Sequence, residues 1–255
     1  MNLFNLKNLR KNVIHLWFIE YKELIENISI YKNCLDQQEL KKAMKFIYQE
    51  DCYNYIKAHY CLRALLSYYT KIPASRLLFV YNNYGKPNIG NDNFNTLKFN
   101  MSHSDTSVLV AINLNKEIGC DIENIKENFD SSLGSSILSQ EEINFIKDIT
   151  DIKTQEVLFL KIWTAKEAIV KAEGTGFYTD LSSINIKFNI PGIRYKVSNS
   201  SNREWFVSTR DYNNSYVYSL ATERLNPHIM LLNWSSYFVR DRQFLEKGHL
   251  VVHKL

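Results

Sequence analysis

Among the 255 residues there are only four cysteines, Cys34, Cys52, Cys61 and Cys120, and they stand far apart. This excludes the C-x-x-C spacing of a zinc site and the cysteine density of a disulfide-built domain, and it predicts reduced thiols. No stretch approaches the roughly 20 apolar residues that span a bilayer. The opening "MNLFNLKNLRKNVIHLWFIEY" has no apolar core followed by a small-residue cleavage site. Charge of one sign is lacking too. The 31 basic and 27 acidic residues leave a formal net charge of +4, which fits neither a disordered chain nor a strongly basic nucleic-acid binder. The expectation is a soluble, cytoplasmic protein without a membrane or nucleic-acid partner. What is present is core material: 45% of the residues are hydrophobic and 13% aromatic, enough for one large domain or two lobes.

Residues 13–19, "VIHLWFI", are β-branched and aromatic and read as a strand. Residues 37–70 contain no glycine or proline. Met44, Ile47, Cys52, Tyr55, Ile56, Leu62, Leu65 and Leu66 recur there at intervals of three and four, which predicts one or two amphipathic helices ended before Pro73. A strand at 77–81, the turn "NNYGKP", and two strands in "LKFNMSHSDTSVLVAIN" joined at Ser104 to Thr106 follow. After "IGCDIENI" and a polar stretch to about residue 134, "SQEEINFIKDI" and "TQEVLFLKIWTAKEAIVKAEG" read as helices, the second stopped at Gly174 and Gly176. Strands are predicted at "INIKFNI", "REWFVSTR" and "YVYSLAT". Helix, strand, turn, strand, strand thus occurs twice. It predicts an α+β fold of two similar, pseudo-symmetric lobes, each a long helix on a small antiparallel sheet, with the ligand cleft between them. The first lobe spans 1–115, the second 116–225, and 226–255 forms a C-terminal extension without assigned chemistry.

In the strand "IGCDIENI", Asp121 and Glu123 are two apart and point the same way, while Cys120 and Ile122 face the other side. Two adjacent anions repel less with a cation between them, and oxygen-only ligands favour Mg²⁺ or Mn²⁺ over zinc. A solvated edge strand carries the same pattern. On a helix, Trp163, Glu167 and Lys171 share one face, which offers a third carboxylate and an ammonium; Glu167 and Lys171 also suit a plain intrahelical ion pair. Lys166 lies about a quarter turn away and could reach a second phosphate. In "FNMSHSD", Ser102, His103 and the turn amides make a plausible phosphate cradle, although a lone histidine is more often structural. Lys86, held between Gly85 and Pro87, suits an anion or simply a surface hairpin.

Taken in order, "YGKP", "FNMSHS", "IGCDIE" and "WTAKEAIVKAEGTGF" resemble the motif series of the 4'-phosphopantetheinyl transferases, specifically the two-lobed monomeric type that serves peptide, polyketide and fatty acid synthases. The likeness runs from about Leu35 to Ala221. It implies that the phosphopantetheine arm of coenzyme A is moved onto a serine of an apo acyl or peptidyl carrier protein, releasing adenosine 3',5'-bisphosphate. By the same match Asp121, Glu123 and Glu167 would hold Mg²⁺ (or Mn²⁺) against the pyrophosphate, and Lys86, Ser102 and His103 would bind the coenzyme's phosphates. Lys166 and Lys171 would lie along the pyrophosphate. Glu167 and Lys171 are the implied catalytic pair, with Glu167 as base, directly or through a water. The chain departs from the family where an arginine is usual at the coenzyme's 3'-phosphate or adenine end: Asn54 stands there, with Lys42 or Lys57 as compensation, and Arg63 alone survives from that run. The implied carrier surface is the stretch from Phe129 to Phe145. The alternative is a relative that binds coenzyme A or a carrier protein without catalysis. A metal-dependent phosphohydrolase is disfavoured, because only His103 is near the acids.

Overall fold

Strand β1 (Val13–Glu20) is buried along almost its whole length, so its sequence shows no polar alternation. Ile14, Leu16 and Phe18 pack into one apolar cluster, Trp17 and Ile19 into another on the opposite face. This computed structural model describes residues 9–24, 27–125, 134–186, 194–198, 203–224 and 226–234. After β1 come α1 (Ile28–Lys32), α2 (Gln37–Ala43), α3 (Gln49–Thr70), β2 (Phe79–Tyr81), β3 (Pro87–Ile89), β4 (Leu97–His103), β5 (Ser107–Leu114) and β6 (Ile118–Asn124). Then follow α4 (Gly134–Ile137), α5 (Gln140–Lys147), α6 (Ile152–Glu173), β7 (Arg194–Ser198), β8 (Glu204–Tyr212), β9 (Tyr216–Thr222) and β10 (His228–Asn233). The architecture is α+β.

One four-stranded sheet has the order β10-β1-β5-β4, the other β6-β9-β8-β7, and β2 and β3 form a separate hairpin. Helix α3 covers the outer face of the first sheet through Ile56, Leu62, Leu65 and Leu66. Helix α6 covers the second through Phe159, Ile162, Ala165 and Ile169, packed with Trp205 and Val217. Between the sheets lies a third apolar layer, where Ile14, Leu16 and Phe18 meet Ile118, Cys120, Ile122 and Tyr218. No described helix is long and apolar enough to cross a membrane.

Three features differ from the sequence reading. Residues 228–233 supply a strand that the sequence reading lacked: β10 pairs in parallel with β1, from Val13 opposite His228 to Phe18 opposite Asn233. The chain turns at residues 44–48 between α2 and α3, leaving Met44 76% and Ile47 92% exposed, so these two belong to no apolar helix face. Ile184 and Ile186 are buried but follow a helical turn capped by Asp180, and the Ile186 N–H is taken by Glu142. Those two apolar residues serve packing; the rest of that expected strand, residues 187–190, lies outside the described residues. Helix α6 closes as expected on Gly174 in the left-handed region, and α2 opens on a capping box of Asp36 and Glu39.

Candidate active site

Alternation along β6 decides where its acids point. Ile118, Cys120 and Ile122 enter the layer between the sheets, so Gly119, Asp121 and Glu123 face α6. At Gly119 the two backbones nearly touch: a Cβ there would fall 2.0 Å from the Ala168 carbonyl oxygen and 2.4 Å from the Ala172 nitrogen. Only glycine permits this approach. It brings Glu167 and Lys171 beside the strand's carboxylates.

Asp121 is 3% exposed. Its Oδ1 accepts from Ser102 Oγ at 2.7 Å and from Lys171 Nζ at 2.6 Å, and Lys171 also reaches Ser102 Oγ at 3.0 Å. Oδ2 is buried without a hydrogen-bond partner among the described residues. Burial, then the charge of Asp121, pushes the Glu123 carboxyl up to about 7. Glu167 is raised for the same two reasons, partly offset by Lys171 and by a hydrogen bond from Trp163. Burial works against the charge on Lys171, yet Asp121 holds its pKa above the ordinary lysine value. Among the described residues, no group of three or more His, Cys, Asp or Glu side chains is arranged as it stands to hold a metal ion. The set is nonetheless short of positive charge. An orphaned buried carboxylate oxygen and two neighbours pushed toward protonation fit a hard divalent cation.

His103, at the exposed end of β4, lines a pocket of about 200 Å³ with Asp51, Asn54, Asp105 and Glu123. Ser102, His103, Glu167 and Lys171 are thus all brought to the strand's carboxylates.

Two expected phosphate ligands are not. Lys86 Nζ is spent on Glu117 at 2.7 Å, the Ala172 carbonyl at 2.7 Å and the Ile118 carbonyl at 3.4 Å. It clamps the hairpin turn to β6 and to the last turn of α6, helped by Asn82, which donates to the Gly174 carbonyl. Lys166 is 0% exposed, and its Nζ donates to Glu142 at 2.6 Å and to the Ile137 carbonyl at 2.7 Å. The quarter turn that separates it from Glu167 puts it on the α5 side of the helix. Lys166→Met is expected to strand the buried Glu142 charge and to lower stability by about 3–5 kcal/mol. Chemical denaturation checks this, and adding Glu142→Leu should recover part of the loss.

The adenosine-end expectations divide as well. Arg63 is structural: buried, it donates to Glu39 at 2.6 Å, Asp36 at 2.7 Å and the carbonyls of Ala74 and Leu77. Asn54 donates to the Asp105 carbonyl and ties α3 to the β4–β5 turn. Lys57 lies over the Tyr21 ring. Lys42, exposed and over Tyr55, lines a larger cavity of about 630 Å³ with Lys41, Lys45, Tyr55 and His59. His59 escaped the sequence reading; its only signal was a spacing of four from Tyr55 on a shared helix face.

Comparison with known proteins decides the family. The model of the 4'-phosphopantetheinyl transferase superfamily matches residues 117–221, and that of the 4'-phosphopantetheinyl transferase N-terminal region matches residues 21–115. The 4'-phosphopantetheinyl transferase HetI of Nostoc sp. is 30% identical over 171 residues, 66% of this chain and 71% of its own. The chain belongs to the 4'-phosphopantetheinyl transferase superfamily. Two further transferases are similar: gsp of Aneurinibacillus migulanus, 27% identical over 69% of this chain and 73% of its own, and Sfp of Bacillus subtilis, 25% identical over 64% and 70%. The crystal structure of Thermotoga maritima holo-[acyl-carrier-protein] synthase matches 42% of this chain and 61% of its own at 16% identity and a TM-score of 0.32, too slight a likeness to argue from. The phosphopantetheinyl transferase activity is therefore established by family, transfer of the 4'-phosphopantetheinyl group to a carrier protein.

Proposed function

We propose that this transferase takes the arm from coenzyme A, places it on a serine hydroxyl of an apo acyl or peptidyl carrier protein, and releases adenosine 3',5'-bisphosphate. Asp121, Glu123 and Glu167 would hold Mg²⁺ or Mn²⁺. The observation that carries this reading is the buried Asp121 Oδ2 without a partner, beside two carboxylates whose pKa values are raised. When bound, the cation would neutralise charge on the coenzyme's pyrophosphate.

Lys171 supplies fixed positive charge at the same place, positioned through Asp121 and Ser102. Glu167 is the base for the serine proton: its raised pKa moves it toward the operating pH, and Trp163 steadies its carboxylate. The larger cavity would take the adenosine end, because β4 lines it through Asn100 and Met101 and reaches Asp121 through Ser102 one residue on. Supporting a pseudo-symmetric reading of lobes 1–115 and 116–225, β1-β5-β4 with α3 and β6-β9-β8 with α6 share one order of strands and helix. The carrier would dock near α5; residues 129–133 of the expected surface lie outside the described residues.

Incubation with coenzyme A, Mg²⁺ and apo carrier proteins, followed by mass spectrometry of the carrier, tests the reaction. The arm's mass should appear with Mg²⁺ and vanish with a chelator; loading that ignores the chelator would remove the metal. A pH dependence follows from Glu123, whose folded pKa is raised. Protons compete with the cation below about pH 7, so Mg²⁺ affinity should fall roughly tenfold per pH unit on the acid side and level off above it. Without metal the sign reverses for stability, which declines as the pH rises through that value because the folded state then loses its extra proton. Calorimetric titration and thermal melts from pH 5.5 to 8.5 check both.

A further inference from the structure

His59 is the most constrained basic side chain in the larger cavity. It is 17% exposed, and its ring stacks on Tyr55 with centroids 4.0 Å apart at 27°. Its Nδ1 lies 2.9 Å from Glu39 Oε1. Glu39 is itself fixed: its Oε2 accepts from Arg63 Nε at 2.6 Å and from the Asp36 N–H at 2.9 Å. Against the burial that would raise it, the His59 hydrogen bond and the Arg63 charge hold the Glu39 carboxyl below its ordinary value, so the group beneath the imidazole is an anion.

That arrangement leaves Nε2 for a ligand, since among the described residues it has no hydrogen-bond partner. A ring locked by a stack and a buried carboxylate loses little freedom when it grips an anion. An anion at Nε2 would set the imidazole between two negative groups, where both ring nitrogens donate. Lys41, Lys42 and Lys45 line the same cavity. Four basic groups together suit a dianionic phosphomonoester with three free oxygens better than a singly charged diester.

Resting on the reading that coenzyme A is the donor, the co-substrate offers one such group besides the pyrophosphate already placed at Lys171. We propose that His59, steered by Glu39, recognises the 3'-phosphate of the coenzyme's ribose and sets the preference for coenzyme A over 3'-dephospho-coenzyme A.

Calorimetric titration of the full chain with coenzyme A and with 3'-dephospho-coenzyme A, for wild type, His59→Ala and His59→Gln, tests this. Wild type should prefer the phosphorylated form by tenfold or more. Both variants should shrink that preference to about threefold or less by weakening coenzyme A alone, with KM for coenzyme A raised and kcat within about twofold. Equal weakening of both ligands would make His59 a packing or adenine-stacking residue and overturn the proposal, as would an unchanged preference. If His59→Ala melts early, the glutamine variant keeps the side chain's bulk and decides. Wild type binding neither ligand would overturn the donor reading itself, a result distinct from equal binding of the two, which would overturn only the role of His59.

Discussion

Glu167→Gln should load carrier protein about a thousandfold more slowly than wild type, or worse, while melting within a few degrees of it. The substitution keeps shape and hydrogen bonding but removes both the base and a carboxylate offered to the cation, and loss of general base catalysis alone is worth about 10² to 10⁴. Glu167 is half-buried with a raised pKa, so neutralising it relieves crowding with Asp121 and Glu123 and gives the fold no reason to fail. The loss should sit in kcat, since the side chain acts on the reacting atoms. Single-turnover loading followed by mass spectrometry makes the measurement. Turnover within about tenfold of wild type would take Glu167 out of the mechanism.

The second large effect concerns stability. Gly119→Ala puts a methyl group 2.0 Å from the Ala168 carbonyl oxygen, and the atoms in its way are helix backbone, which cannot swing aside as a side chain would. Ordinary overpacking costs about 1–3 kcal/mol. Here α6 must lift from β6, opening the apolar layer around Ala165, Ala168 and Ala172, so the loss should exceed about 4 kcal/mol and lower the melting temperature by about 10 °C or more. Gly134→Ala is the control, because among the described residues a Cβ there meets nothing closer than Leu138 at 3.8 Å. Equal melting of the two variants would show that α6 does not rest on β6 as described.

The carboxylate face was legible because alternation along a strand is geometry, independent of what surrounds it. The C-terminal end of α6 was legible for a similar reason: a glycine at its last turn stops the helix whatever packs around it. The fates of Lys86 and Lys166 were not, since a lysine's residue type does not say whether its ammonium meets a ligand or is consumed by carbonyls and a buried glutamate. Nor could spacing separate Met44 and Ile47, exposed in a turn, from the apolar residues that pack on α3. The role of Gly119 rests on a helix some fifty residues away and has no local mark at all. His59 became visible only once Glu39, twenty residues earlier, was seen beneath it.

The parallel pairing of β10 with β1 also bears on how the molecule is made. A ribosome releases β1 early and β10 only after the whole second lobe, so through most of synthesis one edge of β1 has no partner although its faces are already apolar. Unpaired edges of this kind recruit other chains. The first sheet is therefore the last to be completed, and a chain cut short after residue 225 would keep every residue proposed for the chemistry yet leave β1 a permanently open edge, prone to self-association.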